Sequence, residues 1–140
     1  MDNKILEEKR INLSLRFDFC LMELFHMMDK DKNGYLTLAE IDRFALANYL
    51  GLDTEDCAII IDRFDKDRDG RLSFAEFCAI FSPDTLEYRK SMQDRLERNI
   101  FAFVEYTLQT QQIIKDLLKA IVTVEENFEN TKARISEGHV

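Results

Sequence analysis

The stretch DKDKNGYLTLAE, Asp29 to Glu40, holds side-chain oxygens at alternate positions around a single glycine. Acidic residues occupy its first, third and twelfth positions, and glycine occupies the sixth. The stretch DKDRDGRLSFAE, Asp65 to Glu76, repeats this pattern 36 residues later, with leucine again at the eighth position. Because a given residue type fills a given position only about 5–10% of the time, two matches in register do not arise from composition alone.

This spacing is the one that a calcium ion requires of a short loop. Ca²⁺ takes about six to eight oxygen ligands, and a twelve-residue loop supplies them from alternate positions and a final glutamate, with glycine at the sharp turn. The first loop predicts the ligands Asp29, Asp31, Asn33, the backbone carbonyl of Tyr35, Thr37 and Glu40. The second loop predicts Asp65, Asp67, Asp69, the backbone carbonyl of Arg71, Ser73 and Glu76. We therefore expect two bound Ca²⁺ ions.

The residues between the ligands carry further expectations. Leu36 and Leu72 are placed to join the two loops through a short antiparallel bridge. The second loop has four carboxylates at ligand positions and the first has three, so charge alone predicts somewhat tighter binding in the second loop, although Arg71 and Arg68 partly offset this advantage. The basic residues are expected to point outward and to relieve repulsion among the acids; they are Lys30, Lys32, Lys66, Arg68 and Arg71.

Composition predicts the fold class. The chain has 140 residues, of which 46% are hydrophobic, with four glycines and one proline. This favours an all-α protein with one core over a many-stranded sandwich or barrel. The apolar runs are too short to span a bilayer, and no charged-then-apolar leader opens the chain. Cys20, Cys57 and Cys78 lack a CxxC pairing and are interpreted as reduced core thiols in a cytoplasmic protein.

Apolar residues recur at helical spacing on both sides of each loop, which indicates four amphipathic helices. The four predicted apolar stripes are Leu21, Leu24, Phe25 and Met28; Ile41, Phe44 and Ala45; Cys57, Ile60, Ile61 and Phe64; and Phe77, Ile80 and Phe81. With these flanks, residues 13–82 resemble the EF-hand calcium-binding motif of the calmodulin, troponin C and centrin family. The resemblance implies one EF-hand pair, which we assign to residues 1–82.

Residues 83–140 form a predicted C-terminal helical extension. Ser82 and Pro83 are interpreted as the N-cap and first residue of a new helix. The extension is predicted to be one long amphipathic helix, or a helical hairpin broken near Gln109 to Gln112. Its apolar stripe is Leu96, Ile100, Phe103, Val104, Leu108, Ile114, Leu117, Leu118, Ile121, Val124 and Phe128, with Phe101 beside it. The stripe either folds back on the core or binds another protein.

Charge narrows the classes of partner. The net charge is −8, and residues 1–83 hold 17 acids against 11 bases. A nucleic-acid partner is not expected, because phosphate binding needs a basic surplus.

Enzymatic activity is not expected either, since no phosphate cradle or nucleophile is evident and His26 and His139 have no suggestive neighbours.

Three functions remain open at this point. In the first, the protein is a calcium-responsive sensor or regulatory subunit that binds a partner protein through its C-terminal helix and an apolar groove. That groove would be lined by Met22, Met27, Met28, Phe44, Phe77 and Phe81. In the second, it is a constitutive structural subunit of a cytoskeletal, axonemal or ciliary assembly, which the arrangement loosely resembles. A simple calcium buffer is the third, although it leaves the extension without a purpose.

Overall fold

A computed structural model describes residues 2–95 and 102–138, with side chains for residues 4–95 and 102–126. The helices in the described residues are α1 Asp2–Ser14, α2 Leu21–Met28, α3 Leu38–Ala47, α4 Thr54–Phe64, α5 Phe74–Phe81, α6 Leu86–Gln93 and α7 Leu108–Gly138. Two short strands, β1 Tyr35–Leu36 and β2 Leu72–Ser73, and a 3-10 helix, Phe103–Glu105, complete the elements. The all-α prediction is confirmed. None of these helices combines the length and apolarity needed to cross a bilayer.

Helices α2 to α5 form two helix–loop–helix units, and a capping box begins the second helix of each unit. The Thr37 side chain accepts a hydrogen bond from the Glu40 N–H, and the Glu40 carboxylate accepts one from the Thr37 N–H. Ser73 and Glu76 make the same reciprocal pair at the start of α5. These bonds satisfy backbone donors that the first helical turn leaves without partners.

The predicted apolar stripes of α2, α3, α4 and α5 are all buried. The predicted bridge is also present: β1 and β2 pair antiparallel with Leu36 opposite Leu72. Both leucines are fully buried, at 0% exposure, so the bridge lies directly over the core. The two loops are thus joined by backbone pairing and by a pair of leucines beneath it.

Helix α7 folds back onto the rest of the chain, mainly against α1 and α4. Its Ile114 and Leu117 have 0% exposure, and Leu118 is buried as well. Leu118 lies with Phe77 and Phe81 around one apolar cavity. Of the two alternatives for this segment, the described part of α7 adopts the one in which it completes the protein's own core.

The predicted start of the extension is wrong. Ser82 is the C-cap of α5, and α6 begins at Leu86 after the N-cap Thr85. The physical reason lies in α1, where the Glu7 carboxylate accepts hydrogen bonds from the N–H groups of Asp84 and Thr85. Such a partner 77 positions away cannot be read from local capping signals.

The break between helices also comes earlier than predicted. Helix α6 ends at Gln93 and α7 begins at Leu108, so Gln109 to Gln112 lie in the first turns of α7. Two residues assigned to the apolar stripe face solvent instead, Val104 at 74% exposure and Leu108 at 81%. Phe103, Ile114, Leu117, Leu118 and Ile121 are buried and Val124 is half-buried. Leu96, Ile100 and Phe101, the Phe128 side chain and His139 lie outside the described residues.

One apolar core includes residues from both sides of the predicted domain boundary at residue 83. Leu6 and Leu13 of α1, Met92 of α6, and Tyr106 and Val122 join it, although none of them was singled out in the sequence. The division into residues 1–82 and 83–140 stays a prediction. It places the two helix–loop–helix units in the first segment and the helices that cover them in the second.

Candidate metal centre

Each loop gathers its carboxylates into one cluster. Ligand oxygens of Asp29, Asp31 and Glu40 lie within 4.8 Å of one another in the first loop. In the second loop Asp65, Asp67, Asp69 and Glu76 do the same. All the predicted carboxylate ligands are therefore brought together, each with the members of its own loop.

The first and last carboxylates of each loop are anchored by backbone N–H groups. Oδ2 of Asp29 accepts a hydrogen bond of 2.9 Å from the Gly34 N–H, and Oδ2 of Asp65 accepts one of 2.8 Å from the Gly70 N–H. Oε2 of Glu40 accepts from the Asp31 N–H, and Oε2 of Glu76 accepts from the Lys66 N–H. The twelfth residue thus reaches back across the loop to its beginning.

The sixth position requires glycine for the backbone conformation rather than for space. Gly34 has φ +86° and Gly70 has φ +82°, and an added Cβ would meet no atom within 4 Å at either position. A Cβ is disfavoured there because residues with side chains avoid positive φ. Lys32 and Arg68, at the fourth position, also have positive φ, at 57° and 58°. The φ angles of the two loops therefore match at the fourth and sixth positions.

The remaining predicted ligands lie at their loop positions with local hydrogen bonds. Oδ1 of Asn33 accepts from the Tyr35 N–H at 3.0 Å, and Oδ1 of Asp69 accepts from the Arg71 N–H at 3.2 Å. Thr37 and Ser73 cap α3 and α5 as described above. Tyr35 is the first residue of β1 and Arg71 directly precedes β2, so the backbone carbonyls of both residues lie at the start of the strands that form the bridge.

The donor set of these loops fits a hard divalent cation. Oδ1 of Asp29 is buried and has no hydrogen-bond partner among the described atoms, and Asp29 as a whole is only 2% exposed. A buried carboxylate oxygen without a partner costs free energy unless a cation compensates it. Because all the side-chain donors are oxygens, Ca²⁺ fits better than the metals that favour nitrogen or sulfur.

The clustered acids of the second loop influence one another's pKa values. Partial desolvation, together with the neighbouring carboxylates of Asp69 and Asp65, raises the pKa of Asp67. Desolvation also acts to raise the pKa of Glu76, but hydrogen bonds from the backbone N–H groups of Ser73, Asp67 and Lys66 outweigh it and lower this pKa. Glu76 is therefore held as a carboxylate, the form that binds a metal ion.

One basic side chain does not follow the expectation of outward-pointing charges. Nε of Arg71 lies 3.2 Å from Oδ2 of Asp69, a predicted ligand, and its guanidinium carbon lies 3.7 Å from the centre of the Tyr35 ring. By contrast, Arg68 pairs with Asp62 outside the loop, and Lys32 donates to the carbonyl of His26. The sequence predicted that the charges of Arg71 and Arg68 partly offset the advantage of the second loop. It did not reveal the contacts of Arg71 with Asp69 and Tyr35, because the placement of Arg71 beside Tyr35 depends on the register of the bridge.

Comparisons with known proteins agree with this geometry. The family model described as "EF-hand domain pair" matches residues 19–82. Calcium-binding protein 8 of Homo sapiens is 24% identical over 89% of this chain and 54% of its own length. Calcium-dependent protein kinase 2 of Zea mays is 36% identical over 47% of this chain and 13% of its own length. The chain thus spans about half of the first relative and a small part of the second. No solved structure matches.

Proposed function

Because residues 19–82 of this chain belong to the EF-hand domain pair family, and the protein is thereby a calcium-binding EF-hand protein, we propose that it acts as a non-catalytic calcium sensor or regulatory subunit. Two ions are held, by the ligands of residues 29–40 and of residues 65–76. Each bound ion supplies the positive charge that compensates the clustered carboxylates. The similarity to the calcium-dependent protein kinase supports calcium binding by the two loops and nothing further, since this chain covers only 13% of that protein.

The observation that carries the sensor proposal is that the chain's own C-terminal segment covers the predicted apolar groove. Phe77 and Phe81 are buried beside Leu118 of α7. The ring of Phe44 packs edge-on against Phe103, with 5.7 Å between the ring centres. Residues that follow Pro83 therefore occupy the place that a partner helix takes in a helix-in-groove interaction.

Among the described residues, part of the groove is left as a cavity of about 260 Å³ beside α2 and α3. Its apolar lining includes Met27, Met28, Phe44 and Phe103, and its polar lining is Lys30, Glu40, Arg43 and Asn48. Methionine side chains are flexible and adapt to different apolar partners. This cavity provides a first contact for an amphipathic partner helix, which then competes with Phe103 and α7 for the rest of the groove.

The loops are mechanically joined to the groove. Glu40 belongs to the first turn of α3 and Glu76 to the first turn of α5, and the same helices carry Phe44 and Phe77. A displacement of either glutamate carboxylate is therefore transmitted directly to the helix that lines the groove. In this proposal the loops set how tightly the C-terminal segment is held.

Hydrogen exchange on the full chain tests the sensor against the structural alternative. With calcium, amide exchange across residues 108–122 should rise relative to the same protein with chelator, because α7 is held less tightly. The Glu40→Gln, Glu76→Gln double variant is the control and should show no calcium dependence. Unchanged exchange in the unmodified protein would exclude the sensor and favour the constitutive structural subunit, for which loop occupancy only stabilises the fold.

A second experiment addresses the partner itself. Capture from native lysate with calcium and with chelator should yield proteins that depend on calcium if the protein is a sensor. A cytoskeletal, axonemal or ciliary subunit would retain the same proteins under both conditions. The three free cysteines, Cys20, Cys57 and Cys78, support a reducing cytoplasmic setting for this proposal.

A further inference from the structure

The side chain of Arg71 lies between the two loops and contacts both of them. It pairs with Asp69 of its own loop and stacks on the ring of Tyr35 in the other loop. We propose that Arg71, held in place by Tyr35 of the first loop, lowers the calcium affinity of the second loop. This inference rests on the calcium binding proposed above.

The contact with Asp69 places a fixed positive charge on a predicted ligand. Oδ1 of Asp69 accepts a hydrogen bond from the Arg71 backbone N–H, and Oδ2 pairs with Nε of the same residue at 3.2 Å. Both carboxylate oxygens of Asp69 are therefore engaged by Arg71. A cation that binds Asp69 must compete with this guanidinium and is also repelled by it.

The Tyr35 ring is the element that holds the guanidinium in this position. A distance of 3.7 Å from the guanidinium carbon to the ring centre is a close cation–π stack. Tyr35 and Arg71 both occupy position seven of their loops, where the backbone carbonyl is a predicted ligand. Tyr35 pairs with Ser73 in the bridge, and Arg71 lies two residues before Ser73, so Arg71 is the diagonal neighbour of Tyr35 on the same face.

Arg68 provides an internal comparison, because it has the same charge in the same loop. Its guanidinium pairs at 3.0 Å with Asp62 of α4, which is not a predicted ligand. Both members of that pair are largely exposed, at 72% and 81%, whereas Arg71 and Asp69 are 43% and 31% exposed. Any effect of Arg71 beyond that of Arg68 must come from its contacts with Asp69 and Tyr35.

This arrangement reduces the advantage that charge alone gives the second loop. Four carboxylates favour the second loop over the three of the first, but Arg71 offsets one of them at close range.

Calcium titration of the full chain, followed by NMR, measures the two loops separately. The N–H groups of Gly34 and Gly70 donate to Asp29 and Asp65, so the two glycine amide signals report the first and the second loop. In Arg71→Gln the association constant from the Gly70 signal should rise about three- to fivefold, the range expected for a partly exposed ion pair. The rise should shrink as potassium chloride is added, because salt screens the charge.

Arg68→Gln is the matched control, with the same change of charge in the same loop. It should change the Gly70 association constant by less than half as much as Arg71→Gln. Tyr35→Leu keeps the backbone carbonyl and removes the stack, so it should raise the second-loop affinity by an intermediate amount. The double variant Tyr35→Leu, Arg71→Gln should match Arg71→Gln alone, since the ring acts through the guanidinium.

The outcomes separate this inference from the proposed function. If the unmodified chain shows no calcium-dependent shift at Gly34 or Gly70, both are overturned. If both signals shift but Arg71→Gln equals Arg68→Gln, or weakens binding, calcium binding stands and the role of Arg71 is refuted. Circular dichroism of each variant checks that helix content is retained. Arg71→Lys is a second variant, which keeps the charge without the planar stack, and its second-loop affinity should resemble that of Tyr35→Leu.

Discussion

Asp18 accepts a hydrogen bond of 2.5 Å from the hydroxyl of Thr110, 92 positions further along the chain. Its other carboxylate oxygen accepts one of 2.7 Å from the Thr107 N–H, at the start of α7. The segment between α1 and α2 is thereby tied to the first turn of α7. The guanidinium of Arg95 adds to this junction by donating to the carbonyls of Ser14, Arg16 and Phe19.

We predict that Asp18→Asn lowers the free energy of unfolding by about 1–3 kcal/mol, since one amide oxygen cannot replace two charged acceptors. Desolvation acts to raise the pKa of Asp18, but hydrogen bonds from Thr110 and Thr107 outweigh it and lower this pKa below its ordinary value of 3.8. This stabilisation is therefore complete above the unfolded pKa and is lost as pH falls through the lower folded pKa.

Urea denaturation at several pH values checks both parts of this prediction. The difference between the unmodified protein and Asp18→Asn should be constant from neutral pH down to about pH 5 and should shrink below the ordinary carboxyl pKa. Glu8→Gln, an exposed change in α1, is the control and should show a difference near zero. A difference that did not shrink at all as the pH fell to about 2 would contradict stabilisation by the ionised carboxylate of Asp18.

We predict that Glu40→Gln removes calcium binding by the first loop and that Glu76→Gln removes it from the second at micromolar calcium. Each substitution leaves one oxygen where two are needed. Calorimetry should find two sites in the unmodified protein, one in each single variant and none in the double variant. Glu55→Gln, at an exposed position in the first turn of α4, should retain both sites. Undiminished binding in the double variant would place the ligands elsewhere.

We predict that Leu117→Ala lowers the free energy of unfolding by about 2–5 kcal/mol, because the side chain is fully buried and its removal leaves a cavity. Leu108→Ala on the same helix should change it by less than about 0.5 kcal/mol, since Leu108 is 81% exposed. Thermal or urea denaturation measures both. Equal effects of the two substitutions would contradict the placement of α7 in the core.

We predict that Cys57 and Cys78 react slowly with a thiol reagent in the folded protein. Burial raises the pKa of each thiol to about 11, and the carboxylates of Asp42, Asp56 and Asp53 add to the rise at Cys57. The thiolate, which is the reactive form, is then about a hundred times scarcer at pH 8 than for a thiol at its ordinary pKa. Labelling followed by mass spectrometry should find both sites modified rapidly only in denaturant.

The loops and the helices around them could be predicted from the sequence because their determinants are local. Twelve consecutive residues specify the clustered carboxylates and the glycine turn, and the apolar spacing within each helix specifies which side is buried. The pairing of Leu36 with Leu72 was also predictable, since an internal repeat places equivalent residues opposite each other. All of these features lie within one repeat or follow from its duplication.

The path of the extension could not be predicted because its determinants are distant. The Glu7 carboxylate accepts hydrogen bonds from the N–H groups of Asp84 and Thr85, and α6 begins only after them, at Leu86. Asp18 fixes the start of α7 through Thr107 and Thr110. Apolar periodicity does not reveal whether a helix face contacts its own chain or another protein. The burial of Leu117 and Leu118 could therefore be established only from the tertiary structure.

The packing of α1 against α7 has a consequence for synthesis of the protein. Leu6 and Leu13 are 1% and 0% exposed, and α7 is the helix that α1 contacts most. Residues 108–122 are translated after α1, so Leu6 and Leu13 remain uncovered until α7 is available. Folding of the complete core is therefore a late event during synthesis of the chain.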